Sequence, residues 1–317
     1  MAVSVAEYLA QRTDVDAPTI VPSTLGAIPA PICPFLGAQC TKLARSNPQQ
    51  PICTVRTATG RPWIVCTNRL IPAKSNVITP YHTTVLGEVS KLVFPEADPI
   101  DIGFRPQHGI RMEDGKRVVL DYVLRTRDVQ SRGRSKAILE IQGGGETSST
   151  GDITAHVAAW AQSKPRSNAM LRQSLPRPGT IANNAWKRQL EQMFRKVPLA
   201  LRFDAGFVLA MGQVLFDYVI GNFGVAQPYR DDWEIALISI GESPSEQNGP
   251  LRLDNVLASS FITFDEFIEA IRHFPLPDAM GDPFLGNYRT LANDLMNFEP
   301  EPESDDQDIF GWDLDDA

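Results

Sequence analysis

Two stretches decide how this chain folds: Arg117 to Leu124, R-V-V-L-D-Y-V-L, and Ala137 to Gln142, A-I-L-E-I-Q. Both are apolar and rich in β-branched residues. The turn signal Ser131-Arg132-Gly133 lies between them, so a hairpin is the simplest pairing. The composition suits strands covered on both faces better than an exposed edge. Each run is nevertheless broken by polar residues: Asp121 in the first, Glu140 and Gln142 in the second. Side chains alternate along a strand, which puts Glu140 and Gln142 on one face with Ile138. A turn centred between Gln130 and Ser131 sets Asp121 opposite Glu140, their Cβ atoms about 5 Å apart. Two carboxylates that close repel unless a cation sits between them, and that arrangement suits Mg²⁺. The plainer alternative is a hairpin whose polar residues face water.

Outward from the hairpin, a strand near Gly109 to Met112 runs into the turn Glu113-Asp114-Gly115-Lys116. From Thr83 to Val93 the residues Val85, Val89 and Leu92 recur at helical spacing. Glu88 lies on or beside that stripe and requires a partner if buried. After Gly143-Gly144-Gly145, helices are expected over Asp152 to Gln162 and over Ile181 to Val197, the second with Ile181, Ala185, Leu190, Met193, Phe194 and Val197 apolar. Phe207 to Val219 fits a buried helix, and Glu234 to Ile240 a strand. Thr263 and Glu266 have capping-box spacing, opening a helix that runs through His273. Val5 to Gln11 reads as a short N-terminal helix. The expected class is mixed α/β (α+β), a central mixed sheet flanked by helices, with 43% hydrophobic residues ample for a core.

The formal net charge is −8, yet nine acidic residues and no Lys or Arg lie between Glu299 and Ala317. Removing those nine negative charges leaves a body at +1. Within the body, Lys164 to Arg202 holds nine basic residues (Lys164, Arg166, Arg172, Arg177, Lys187, Arg188, Arg195, Lys196, Arg202) against Glu191 alone. Lys116 to Lys136 holds seven against Asp121 and Asp128. One such run reads as a solvated helix face. Two beside an acidic pair point to a phosphate backbone, hence double-stranded DNA as partner.

All four cysteines, Cys33, Cys40, Cys53 and Cys66, fall in one N-terminal window with spacing C-x6-C-x12-C-x12-C. Four thiolates can surround one Zn²⁺ or Fe ion tetrahedrally and staple a lobe too small for a core of its own. Pro34, Gly37, Pro48, Pro51 and Gly60 supply turns for such a lobe. Two disulfides or four unrelated thiols are the alternatives. The opening M-A-V-S-V-A-E-Y-L-A-Q-R-T-D has neither a basic n-region nor a long apolar h-region, so a reducing, cytoplasmic location is expected. No apolar run approaches the length of a membrane span.

An acid on one strand followed about 20 residues later by E-x-Q on the next resembles the PD-(D/E)xK nuclease core in its E-x-Q variant. With the cysteine motifs I-C-P-F-L-x-x-Q-C-T-K, P-I-C-T-V and V-C-x-N-R-L ahead of it, the chain resembles the NotI family of type II restriction endonucleases over about residues 30 to 142. Asn184 to Arg188 resembles the basic helix that follows the core. The resemblance implies a restriction-endonuclease-like core, iron held by the four cysteines, and a homodimer. It also implies Mg²⁺-dependent cutting of a GC-rich palindrome and a cognate DNA methyltransferase. By position, Asp121, Glu140 and the Ile141 carbonyl would ligate Mg²⁺. Gln142 stands where most of the superfamily has Lys, which could offset charge, whereas an amide can only orient the attacking water. Leu120 replaces the Pro of the nominal motif, and Gly143-Gly144-Gly145 stands where relatives often have Thr and Asp. Glu88 is a candidate extra acid. Arg172, Arg177, Lys187 and Arg188 are candidates for base or phosphate contacts.

The expected organisation is a four-cysteine lobe over residues 1–75, a nuclease domain over 76–298 and an acidic, mobile tail over 299–317. The rival reading from another class is a non-catalytic DNA-binding regulator built on the cysteine lobe and basic helices. Histidine-nuclease chemistry has no matching motif, since His82, His108, His156 and His273 show no H-N-H or H-x-x-x-H grouping.

Overall fold

The computed structural model describes residues 2–15, 31–40, 51–71, 80–112, 115, 117–127, 133–145, 147–244, 251–272, 286–289 and 295–298. The chain forms two compact units, Met1–Phe274 and Pro275–Ala317. The boundary expected at residue 75 therefore falls inside the first unit. The acidic tail lies outside the described residues.

The first unit opens with β1 (Val3–Tyr8), β2 (Gln11–Arg12), the small hairpin β3 (Ile32–Cys33) and β4 (Ala38–Gln39), then β5 (Ile52–Thr57) and β6 (Pro62–Ile64). The order β2-β1-β5-β6 makes a four-stranded antiparallel sheet. The N-terminal helix expected over Val5 to Gln11 is thus a strand and a tight reversal. Leu9 and Ala10 take positive φ, 46° and 61°, which no helix tolerates. Pairing of β1 with β5 supplies the backbone partners instead. Tyr8 then packs on Trp160 at 5.7 Å between ring centroids.

A buried ionic cluster joins this sheet to the rest of the unit. Glu7 and Arg69, both sealed from water, pair at 2.7 Å. Glu7 also accepts from the Thr54 hydroxyl at 2.7 Å and from the Leu251 N–H at 3.0 Å. The Arg69 guanidinium lies over Phe35 at 4.4 Å and Tyr81 at 5.0 Å. The carboxylate of Glu7 and the two aromatic faces offset much of the cost of burying this charge, although Arg69 Nη1 is buried without a hydrogen-bond partner.

Next come α1 (Pro80–Val93), β7 (Ile102–Arg111), β8 (Arg117–Thr126), β9 (Lys136–Gln142), α2 (Thr150–Gln162), α3 (Asn168–Leu171), α4 (Ala182–Arg202), β10 (Gly206–Gly212), α5 (Gln213–Phe223), β11 (Ile235–Ser243), β12 (Arg252–Ile262) and α6 (Phe264–Arg272). Six strands form one mixed sheet in the order β12-β11-β10-β9-β8-β7. The strands β7, β8 and β9 are an antiparallel meander; β9, β10 and β11 run parallel; β12 returns antiparallel. Helix α4 makes the crossover from β9 to β10 and α5 that from β10 to β11, as parallel neighbours require. The class is mixed α/β, as expected. Pro106 is tolerated in β7 because that strand is at the sheet edge.

Both faces of the central strands β9, β10 and β11 are covered. Val85, Leu86, Val89 and Val93 of α1 pack in one cluster with Tyr122, Leu139, Ile141, Val208 and Ile238. On the other face, Ile138, Phe207, Leu209, Met211 and Leu237 pack with α2, α4 and α5. Phe207 to Val219, expected as one buried helix, divides into β10 and α5 at Gly212. A strand buried on both faces is continuously apolar and carries no period to distinguish it from buried helix. The capping box is formed: Thr263 N–H donates to Glu266 Oε2 at 2.7 Å, and Glu266 N–H to Thr263 Oγ1 at 3.2 Å. His273 lies outside the described residues. In the second unit, β13 (Gly286–Arg289) and β14 (Leu295–Phe298) form an antiparallel hairpin.

Candidate functional site

The β8–β9 pairs Tyr122↔Leu139, Val123↔Ile138, Leu124↔Ala137 and Arg125↔Lys136 have the register expected from the turn position. The regular ladder stops at Tyr122↔Leu139, and the next two residues are Asp121 and Glu140. There the strands exchange side-chain bonds. Asp121 N–H donates to Glu140 Oε1 at 3.1 Å, and Ile141 N–H donates to Asp121 Oδ2 at 3.1 Å. Each carboxylate thus takes a backbone donor of the opposite strand, which fixes both at the point where the sheet opens.

Burial dominates the electrostatics. It raises the Glu140 carboxyl to about 7, with Asp121 pushing the same way and Lys196 opposing. Burial also raises Asp121, against the Ile141 N–H and Lys196. Two carboxylates largely withdrawn from water and held above their ordinary range are a pair that a cation would relieve. Part of that cation is already present: Lys196 Nζ donates to Glu140 Oε2 at 2.5 Å. Gln189 Nε2 donates to Gln142 Oε1 at 2.5 Å, leaving the Gln142 amide nitrogen as a donor. Both partners come from α4, one face of which lies on β9.

Gln142 leads into the three glycines. Gly144 N–H donates to Ile64 O at 2.7 Å, and the Trp63 indole N–H to Gly145 O at 3.0 Å. A Cβ on Gly145 would lie 2.8 Å from Arg188 Nη2 and 3.6 Å from Gln142 Nε2, so Arg188 reaches the same strand end. Ser148 and Gly179 bond to each other, Gly179 N–H donating to Ser148 Oγ at 2.9 Å. That tie brings the segment carrying Arg177 beside the loop that follows Gln142. Lys187 and Arg188 line a cleft of about 370 Å³ with Ile181 and Asn184. Arg172, exposed, follows α3 as its C-cap.

Asp121, Glu140 and Gln142 are therefore gathered with Arg188, while Glu88 is not. Glu88 is half-exposed and pairs with Lys91 at 2.7 Å. Its helix α1 covers the face of Leu139 and Ile141, and alternation puts Glu140 on the other. The partner it required is its own i+3 neighbour. Sequence reasoning in turn missed Gln189 and the role of Lys196. Their signal was present: both polar residues interrupt the buried stripe Ala185, Met193, Val197 and Ala200 of α4.

The cysteines lie on the N-terminal sheet and its hairpin. Cys53 Sγ accepts from the Ala10 N–H at 3.3 Å. Burial, then Glu7 and Cys66, raise its thiol well above the ordinary value. Cys40 acts in the same direction on the Tyr8 hydroxyl, which burial raises most. No group of three or more His, Cys, Asp or Glu side chains comes together as a metal site among the described residues. The groups expected to hold Mg²⁺, the Asp121 and Glu140 carboxylates and the Ile141 carbonyl, would offer hard oxygen ligands of the kind that ion takes. No helix among the described residues is long and apolar enough to cross a membrane. No protein-family model matches the sequence, and neither does any curated protein.

Proposed function

We propose that this chain is a type II restriction endonuclease of the NotI kind, hydrolysing DNA phosphodiesters at a specific, GC-rich palindrome with Mg²⁺. The observation that carries this reading is the buried, reciprocally bonded pair Asp121 and Glu140 at the opening of β8 from β9, with Gln142 two residues on. A central mixed sheet flanked by helices supports it, as do the cations Arg177, Lys187 and Arg188 at the same strand end.

Asp121, Glu140 and the Ile141 carbonyl would hold the ion. When bound, Mg²⁺ supplies Lewis-acid stabilisation of the charge on the reacting phosphate and acidifies a water. Asp121 and Glu140 are oriented in advance by the backbone donors of Ile141 and Asp121, so little reorganisation accompanies binding. Gln142 cannot take a proton; with its oxygen held by Gln189, it donates through its amide nitrogen to a phosphate oxygen or a water. Arg177, Lys187 and Arg188 bind phosphates or guanine edges, and Arg172 extends that basic surface. A palindrome is met by a two-fold homodimer, each protomer cutting one strand. A cognate DNA methyltransferase would protect the host site. Fe or Zn on the four cysteines would be structural, and elemental analysis of the purified protein should find about one such ion per chain.

Incubation with plasmid DNA and Mg²⁺ tests the reading. The wild type is expected to give discrete fragments, while Glu140→Ala binds the same DNA without cutting it. Pure protein that leaves DNA intact in Mg²⁺ and in Mn²⁺ would sink the proposal, and sequencing the fragment ends reads out site and stagger.

A further inference from the structure

Eight of the nine basic residues between Lys164 and Arg202 are exposed. The ninth, Lys196, is 5% exposed. Burying an ammonium is costly unless a partner holds it. The neighbouring Arg195 shows the ordinary behaviour, a solvated pair with Glu191 at 2.9 Å. Lys196 instead turns inward and donates to Glu140 Oε2 at 2.5 Å. Seven residues earlier on the same helix face, Gln189 meets Gln142. Both polar positions of E-x-Q thus receive a polar partner from α4. Position 142 carries a neutral amide where a lysine would bring charge, and the charge arrives from the helix.

We propose that Lys196 is the ammonium of this site, a positioning residue that acts through Glu140. It balances the Asp121–Glu140 pair before a divalent ion binds and keeps Glu140 Oε2 oriented toward α4 afterwards. The proposal rests on reading the strand end as a Mg²⁺-dependent nuclease site. With both carboxylates ionised, as a bound divalent ion requires, Lys196 leaves the site a single net negative charge. Without it there are two, so a divalent ion binds more tightly while the site loses the cation that its geometry and the transferring phosphate require.

The experiment uses full-length protein and two readouts: calorimetric titration with Mn²⁺ in the absence of DNA, and single-turnover cleavage of plasmid. Lys196→Met, which keeps the stem and drops the charge, is expected to bind Mn²⁺ about tenfold more tightly and to cut roughly a hundredfold more slowly. Lys196→Arg, which keeps the charge, should stay near the wild-type metal affinity. The double variant Gln142→Lys, Lys196→Met returns the ammonium to the strand and should recover most of the lost cleavage. A lysine with a merely structural role would lower the unfolding midpoint without moving Mn²⁺ affinity, and Lys at 142 would rescue nothing. Unchanged Mn²⁺ affinity in folded Lys196→Met overturns the proposal, as does a wild type that binds no Mn²⁺ or a double variant that recovers no cleavage. If the Met variant does not fold, Lys196→Gln in the same titration decides with the same outcomes. A wild type that binds Mn²⁺ but cuts no DNA removes the nuclease reading, while the titration still judges Lys196.

Discussion

Gly144 lies directly against Trp63: a Cβ on Gly144 would sit 2.2 Å from the indole ring. Trp63 is in β6 of the N-terminal sheet, and Gly144 is two residues past Gln142. A Cβ on Gly143 would likewise meet Ile64 O at 2.7 Å. The glycine run that follows Gln142 is therefore a contact surface. It lets a strand of the cysteine-bearing sheet press against the loop that leaves the E-x-Q strand.

Gly144→Ala tests this contact. The added methyl has no room without displacing Trp63 or the end of β9, and overpacking of this kind costs about 1–3 kcal/mol. Urea denaturation should show that loss, and Trp63→Leu in the same background should recover part of it. An alanine variant as stable as the wild type would show that the contact is slack.

Arg69→Met leaves Glu7 charged, buried and without its counter-ion. Removing one partner of such a pair costs about 3–5 kcal/mol, read from the urea midpoint. Glu7→Gln added to Arg69→Met should restore some of the stability, because it removes the uncompensated charge.

His82 predicts an acid limb. Burial lowers its pKa from 6.5 to about 4, and Arg69 adds to the effect against a hydrogen bond from the ring to the Asn68 backbone. The folded protein keeps the ring neutral, whereas the unfolded chain protonates it near 6.5. Its contribution is complete above 6.5 and is lost as pH falls through about 4. The shift amounts to about 3 kcal/mol. Urea midpoints measured from pH 7 to pH 4 should fall on this account, and His82→Phe should flatten that limb; an unchanged slope would remove His82 as its cause.

Gln189→Leu strips Gln142 of its partner and leaves a buried amide oxygen unsatisfied, at a cost of about 1–3 kcal/mol. Freed to rotate, Gln142 should cut the single-turnover rate roughly tenfold or more. Mn²⁺ affinity should not change, since Asp121, Glu140 and Lys196 are untouched. Equal rates for variant and wild type would show that the 2.5 Å contact orients nothing.

The hairpin was legible because its information is local. Ser131-Arg132-Gly133 places the turn, alternation places the faces, and together they set Asp121 beside Glu140 without reference to the rest of the chain. The capping box at Thr263 and Glu266 is local in the same sense. Val3–Tyr8 was misread because its partner β5 lies some fifty residues on, and Val5 to Gln11 taken alone also satisfies a helical spacing. Glu88 was misread because a stripe gives the buried face of a helix but not which layer the helix joins. Lys196 was visible only as one of nine charges, and a charge run does not reveal which member turns inward.

By itself, then, the sequence determined the pairing of β8 with β9, the carboxylates on one face and the mixed α/β class. Period, turn chemistry and polar interruptions of apolar runs act over a few residues and survive without a fold. Only the tertiary structure decided that α4 lies across β9, bringing Lys196 to Glu140 and Gln189 to Gln142. It alone set Trp63 over Gly144 and closed Glu7 on Arg69. These contacts join residues far apart in the chain, and what selects them is how helices and sheets pack to bury their apolar faces.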